Sequence, residues 1–234
     1  MMTYDVYLEI WPDGRVMGHI PDLPGCFAKA MSEAQTLAYL RMTVPDYYRW
    51  LSMQDADTPT ISGEVDLVVR ERQPVTQNAG YEVRAFFAPD AQPVTEDDLD
   101  WGLALMSYAH QDVIRQVQPL TDVALDWQSD PQMVTIRSLI ERAGQTDAWL
   151  ARRLDTQPNV PLVVDLPGPF LERFNDSHER SLLRLSEAPP EMRSVIIEHD
   201  GERWSMRKVI RRAIINHREY AEQIAITLGN YAAR

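Results

Sequence analysis

The sequence predicts an α+β chain: a small sheet-plus-helix domain over residues 1–88, then an all-α four-helix bundle over residues 95–234. Three observations predict it. Within the first 88 residues, short apolar or alternating runs are separated by turn residues, the pattern of half-buried strands. Residues 89–94 form a short proline-bearing linker. Beyond it, four segments carry apolar side chains at helical spacing. The longest runs from Trp204 to about Leu228 and puts Met206, Val209, Ile210, Ala213, His217, Tyr220, Ala221, Ile224 and Leu228 on one face. Arg207, Lys208, Arg211, Arg212, Arg218 and Glu222 fall opposite and read as a solvated face.

Taken in order, residues 3–10 and 15–20 are apolar or β-branched runs joined by Pro12-Asp13-Gly14, a tight-turn sequence, so they predict a hairpin. Two prolines and a glycine in Pro21-Asp22-Leu23-Pro24-Gly25-Cys26 exclude helix. From about Ser32 to Leu51 the pattern is helical, with Ala34, Leu37, Leu40, Val44, Tyr47 and Leu51 among its apolar positions. Residues 64–70 and 81–87 alternate as strands around a polar loop that includes Asn78-Ala79-Gly80. In the bundle, Thr95 followed by Glu96, Asp97 and Asp98 reads as a capped, dipole-matched helix start. That helix runs to about Pro119, a second from Thr135 to Leu154, and a third follows a long proline-rich connection, 155–169. Unequal connections suit a bundle with a crossover.

Composition is ordinary for a globular chain, 44% hydrophobic and 25% charged. The formal net charge of −12 disfavours a phosphate backbone as partner. No apolar run approaches the ~20 residues of a membrane span, and the N-terminus lacks the features of a signal peptide. One cysteine, Cys26, excludes an internal disulfide. These features predict a soluble, cytoplasmic, acidic protein with no nucleic-acid or membrane partner. No Gly-rich phosphate loop, CxxC, HExxH or GxSxG occurs.

YDVYLEIWPDGRVMGHIPDLPGCFAKAMSEAQTLAYL resembles the HicB-like fold, carried mainly by the PDLPGC turn and the helix after it. Members of that family often partner a small toxin ribonuclease, so the resemblance implies either a protein-contact module or a packing module. From Thr95 onward the chain resembles the DinB-like bundle, through DLDWGLALM, TIRSLIERAGQTDAWLARRL and GERWSMRKVIRRAIINHREYAEQI. That resemblance implies a homodimer. It also implies metal-dependent, thiol-linked transferase or isomerase chemistry, with zinc or nickel held by one histidine of the second helix and two of the last. Residue by residue, those positions fall on Arg142, Asn216 and Tyr220. Arginine stays protonated and cannot ligate a cation, and an amide and a neutral phenol are poor ligands for such metals.

The sequence therefore predicts a degenerate metal site and no cofactor. Its first functional expectation is a non-catalytic bundle that binds a small anionic ligand or serves assembly, with Arg142, Asp147, Asn216, His217 and Tyr220 as pocket candidates. A second arrangement comes from the stripes, because His110, His178 and His217 each interrupt a different one and Asp147 interrupts the fourth. Buried polar groups need partners. These four predict either unrelated histidines, each satisfied locally, or an Asp147–His217 pair, or a relocated three-histidine, one-carboxylate site for a divalent metal with a low-molecular-weight thiol.

Overall fold

The computed structural model describes residues 2–54, 56, 64–78, 81–130, 132–155 and 169–233. It is an α+β structure that divides into two compact units, Met1–Gln92 with Glu198–Arg203, and Pro93–Ile197 with Trp204–Arg234. Positions 79–80 of the expected polar loop, and 156–168 of the proline-rich connection, lie outside the described residues.

In the first unit, β1 (Met2–Ile10) is central. It pairs antiparallel with β2 (Val16–His19), which pairs antiparallel with β3 (Phe27–Ala30). Helix α1 (Glu33–Ser52) crosses to β4 (Val65–Pro74), which lies parallel to β1 and completes the order β3-β2-β1-β4. Val6 and Leu8 of β1 are fully buried. Ser32 caps α1 by accepting from the Gln35 amide, and the helix buries Thr36, Leu40, Val44, Tyr47 and Leu51, one stripe at i, i+4 and i+3 spacing. Close approach is built in at Gly18, where an added Cβ would lie 2.6 Å from Leu40 Cδ1.

Two strand expectations need correction. Phe27–Ala30, for which the sequence pattern predicts no element, is a strand of the main sheet. Only Tyr81–Val83 of the 81–87 run is a strand: it is β6, paired with β5 (Thr76–Asn78). Beyond Val83 the backbone donors go to side chains instead of a ladder. Ala85 N donates to Glu9 Oε1 (3.0 Å), Phe86 N to Gln73 Oε1 (3.2 Å) and Phe87 N to Asp90 Oδ2 (2.9 Å). Side-chain acceptors have replaced a partner strand. Glu9 also receives the Arg84 guanidinium and lies 3.2 Å from His19 Nε2, all three residues being buried.

In the second unit, α2 (Glu96–Val117) opens with a capping box, Thr95 accepting from Asp98 N and Asp98 from Thr95 N. A short helix, α3 (Asp122–Leu125), precedes α4 (Ile136–Ala151), α5 (Phe170–Ser186) and α6 (Met206–Ala232). Between α5 and α6 the chain forms a hairpin of β7 (Ile197–His199) and β8 (Glu202–Trp204), whose residues Glu198–Arg203 belong to the first unit, turned by Asp200 (φ 53°) and Gly201 (φ 78°). Two positive φ angles at Asp-Gly suit a two-residue hairpin loop. Helix α2 packs on α5 and α6, and α4 packs on the same two, so the four long helices close a ring around one interior. One end of that interior is filled by Val113, Val117, Ile136, Leu139, Ile140, Phe174 and Ile224.

The polar face expected for α6 is also corrected. Lys208, Arg211 and Arg212 are buried, and with Val209, Ile210 and Ala213–Ile215 they leave Arg207 as the one part-exposed residue from Met206 to Ile215. Two of the buried cations follow aromatic surface: Lys208 Nζ lies 4.5 Å and the Arg212 guanidinium 5.8 Å from the centroid of buried Trp204, which packs edge-on against Trp149. No helix among the described residues is long and apolar enough to cross a membrane.

Candidate metal centre

At one level of the bundle interior four titratable side chains meet. There each long helix contributes one polar side chain: His110 from α2, Asp147 from α4, His178 from α5 and His217 from α6. Each occupies the apolar stripe of its own helix, so closing the ring brings all four inward. Their exposures are 3%, 1%, 4% and 1%. One ligand-competent atom from each lies within 4.8 Å of the others.

The contacts inside the cluster are specific. His217 Nε2 and Asp147 Oδ2 are 2.8 Å apart, and His178 Nδ1 lies 3.6 Å from the same oxygen. The His110 and His178 rings stack with centroids 4.0 Å apart and planes 5° from parallel. Phe174 walls the apolar side, 4.3 Å from the His110 ring and 5.5 Å from that of His217. His110 Nε2 meets Asn175 Oδ1 at 2.9 Å.

Five atoms are left over. Asp147 Oδ1, His110 Nδ1, His217 Nδ1 and both ring nitrogens of His178 are buried without a hydrogen-bond partner. Each unmet buried polar group costs about 1–3 kcal/mol, so five in one place call for a shared partner.

The electrostatics run in the same direction. Burial pushes the His110 imidazole down to about 3, with His178 and His217 adding to the effect. Burial also lowers His178, although Asp147 opposes it. For Asp147 burial acts upward, but His217 and His178 outweigh it and hold the carboxyl below the usual carboxylate range. At neutral pH the cluster thus offers two neutral imidazoles, His110 and His178, and an anionic carboxylate, protonation states that suit a metal ion.

The donor chemistry fits a first-row divalent ion such as zinc or nickel. Metal–ligand bonds of ~2.0–2.1 Å in a tetrahedron set ligand atoms about 3.4 Å apart, and the stacked His110 and His178 rings, whose in-plane lone pairs do not converge, would have to unstack to share an ion. The 2.8 Å His217–Asp147 contact is shorter than that and is a hydrogen bond. Metal entry would break it and displace its proton.

The remaining pocket candidates lie outside this cluster. Arg142 is exposed on α4. Tyr220, half-buried on α6, is raised by burial, while a hydrogen bond with Thr146 and the Arg142 charge act the other way. Asn216 is half-buried, with its Nδ2 enclosed and without a hydrogen-bond partner. A guanidinium, an amide and a phenol that keeps its proton do not make a metal site. Sequence reasoning missed Asn175, which interrupts no stripe and is visible only through its contact with His110.

Fold and site define a class: an α+β protein whose helical bundle carries a buried cluster of three histidines and one aspartate. No protein-family model, no curated protein and no solved structure matches the chain.

Proposed function

We propose that this chain is a metalloprotein whose bundle holds one divalent transition-metal ion on His110, Asp147, His178 and His217. The observation that carries the reading is the convergence of four buried residues from four helices, with five of their polar atoms unpartnered. In the DinB-like family that the bundle resembles, the metal site lies at the positions of Arg142, Asn216 and Tyr220. In this chain the ligand set would instead be the four buried residues of the cluster. Such an ion would act as a Lewis acid: a thiol taking a fifth coordination position would bind as the thiolate, its proton released to solvent, as thiol-linked transferase or isomerase chemistry needs. Asp147 supplies the compensating charge, His110 and His178 supply neutral donors, and Phe174 keeps water from one side of the cluster.

The test is elemental analysis of untagged protein, as purified and after incubation with zinc, nickel and manganese. About one equivalent per chain is expected, and it should be absent in His178→Ala. Native protein that retains no metal under any of these conditions would overturn the reading.

A second reading, a small anionic ligand beside Arg142, is supported by the charge of Arg142 acting on Tyr220 and by the unsatisfied Asn216 Nδ2. Titration with inorganic phosphate and with acetate checks it: binding by native protein that vanishes in Arg142→Ala is expected, and no binding refutes it.

A further inference from the structure

We infer that Asn175 is a positioning residue that holds His110 as the Nε2–H tautomer, so that Nδ1 presents its lone pair to the cluster. The use of that lone pair rests on the metal reading above; the tautomer itself does not.

A neutral imidazole carries one N–H and one lone pair, and the partner of one nitrogen decides the role of the other. His110 Nε2 faces the side-chain carbonyl of Asn175 at 2.9 Å. A carbonyl only accepts, so the proton sits on Nε2. Nδ1 is then an acceptor, buried and without a partner in the protein. The opposite assignment turns the amide to donate from Nδ2 and puts the proton on Nδ1. It would leave a buried N–H without a partner, which is rarer than an unmet acceptor.

Ring orientation is already fixed without the amide. His110 is sandwiched by His178 at 4.0 Å and Phe174 at 4.3 Å, which sets the ring plane but cannot choose between the nitrogens. Asn175 makes that choice. It lies three residues before His178 on α5, so one helix face delivers both a cluster member and the support for another. Histidines that bind metals commonly donate their second N–H to a carbonyl or carboxylate, which orients the ring and raises its basicity. Asn175 is exposed, so its side chain can be removed without opening the core.

Two measurements on the full chain test this. Two-bond proton–nitrogen correlation spectra of metal-free protein, with His110 assigned by comparison with His110→Gln, should show Nε2–H in the native chain. In Asn175→Ala that preference should be lost. Cobalt(II) titration, followed by visible absorption, should show Asn175→Ala binding roughly 10–100-fold more weakly, the usual cost of losing such a support. Asn175→Asp, which keeps the acceptor, should restore affinity to within a few-fold of native. An Nδ1–H tautomer in the native chain, or one unchanged by Asn175→Ala, overturns the inference, as does native cobalt affinity in Asn175→Ala. If native protein binds no cobalt, the metal reading fails instead, and the tautomer measurement alone decides the role of Asn175.

Discussion

Asp147→Asn separates a metal centre from a merely structural polar cluster. The substitution preserves shape and leaves an amide oxygen to accept from His217 Nε2, which now lies 2.8 Å from Asp147 Oδ2. It removes the single negative charge among imidazoles of which two are held neutral by burial. A ligand that binds only the folded state at 100 times its dissociation constant stabilises by about 2.7 kcal/mol. For a chain of this length each kcal/mol moves the melting temperature by roughly 2–4 °C, so saturating zinc should raise the native midpoint by roughly 5–10 °C. Losing a direct ligand should weaken zinc by at least the ~100-fold upper range seen when a mere support is removed. At the same zinc concentration the variant then gains no more than about 0.4 kcal/mol, roughly 1–2 °C. Without zinc its midpoint should lie somewhat below native, because His217 and His178 favour the ionised carboxyl in the fold. The assay is thermal denaturation followed by far-ultraviolet circular dichroism, with zinc and with chelator. Equal zinc shifts in both proteins, or none in the native chain, would refute the reasoning.

Three further predictions concern the fold. Glu9 is fully buried; burial alone would raise its carboxyl, but Arg84 and His19 outweigh it and hold the group well below its ordinary value. Its stabilising contribution is therefore full above a pH of about 4.3, the unfolded value, and is lost as pH falls toward the depressed folded one. Glu9→Gln should cost about 3–5 kcal/mol near neutrality by leaving Arg84 buried without its carboxylate, and urea midpoints of variant and native should converge below that pH. Gly18→Ala drives a methyl to 2.6 Å from Leu40 Cδ1 and 3.1 Å from Thr36 Cγ2, both residues fully buried; a loss of about 1–3 kcal/mol is expected in urea denaturation. Thr95→Ala removes the acceptor for Asp98 N at the start of α2 and should cost about 1 kcal/mol in the same assay.

The stripes of α1, α2, α4, α5 and α6 were legible in the sequence, because helical period and burial are both local consequences of spacing. So was the turn at Asp13-Gly14, whose glycine has a positive φ. The 81–87 run alternates like a strand, yet Arg84–Phe87 is not one. Glu202, Glu9, Gln73 and Asp90 take its amides, and all four are remote in sequence or just past the run. The burial of Lys208, Arg211 and Arg212 was equally illegible, since a helical wheel assigns cations to water unless aromatic surface such as Trp204 is known to lie beside them.

The candidate site shows the same division. Sequence alone determined that four stripes each carry one misplaced polar residue, His110, Asp147, His178 and His217, and that Arg142, Asn216 and Tyr220 are unfit to ligate a metal. Only the tertiary structure decided that the four lie at one level, within 4.8 Å, and that Asn175 reaches His110. The physical reason is that no two of the four share a helix. Spacing along a chain fixes which side of a helix a residue faces, but its height against a neighbouring helix is set by how the long side chains of the whole bundle pack.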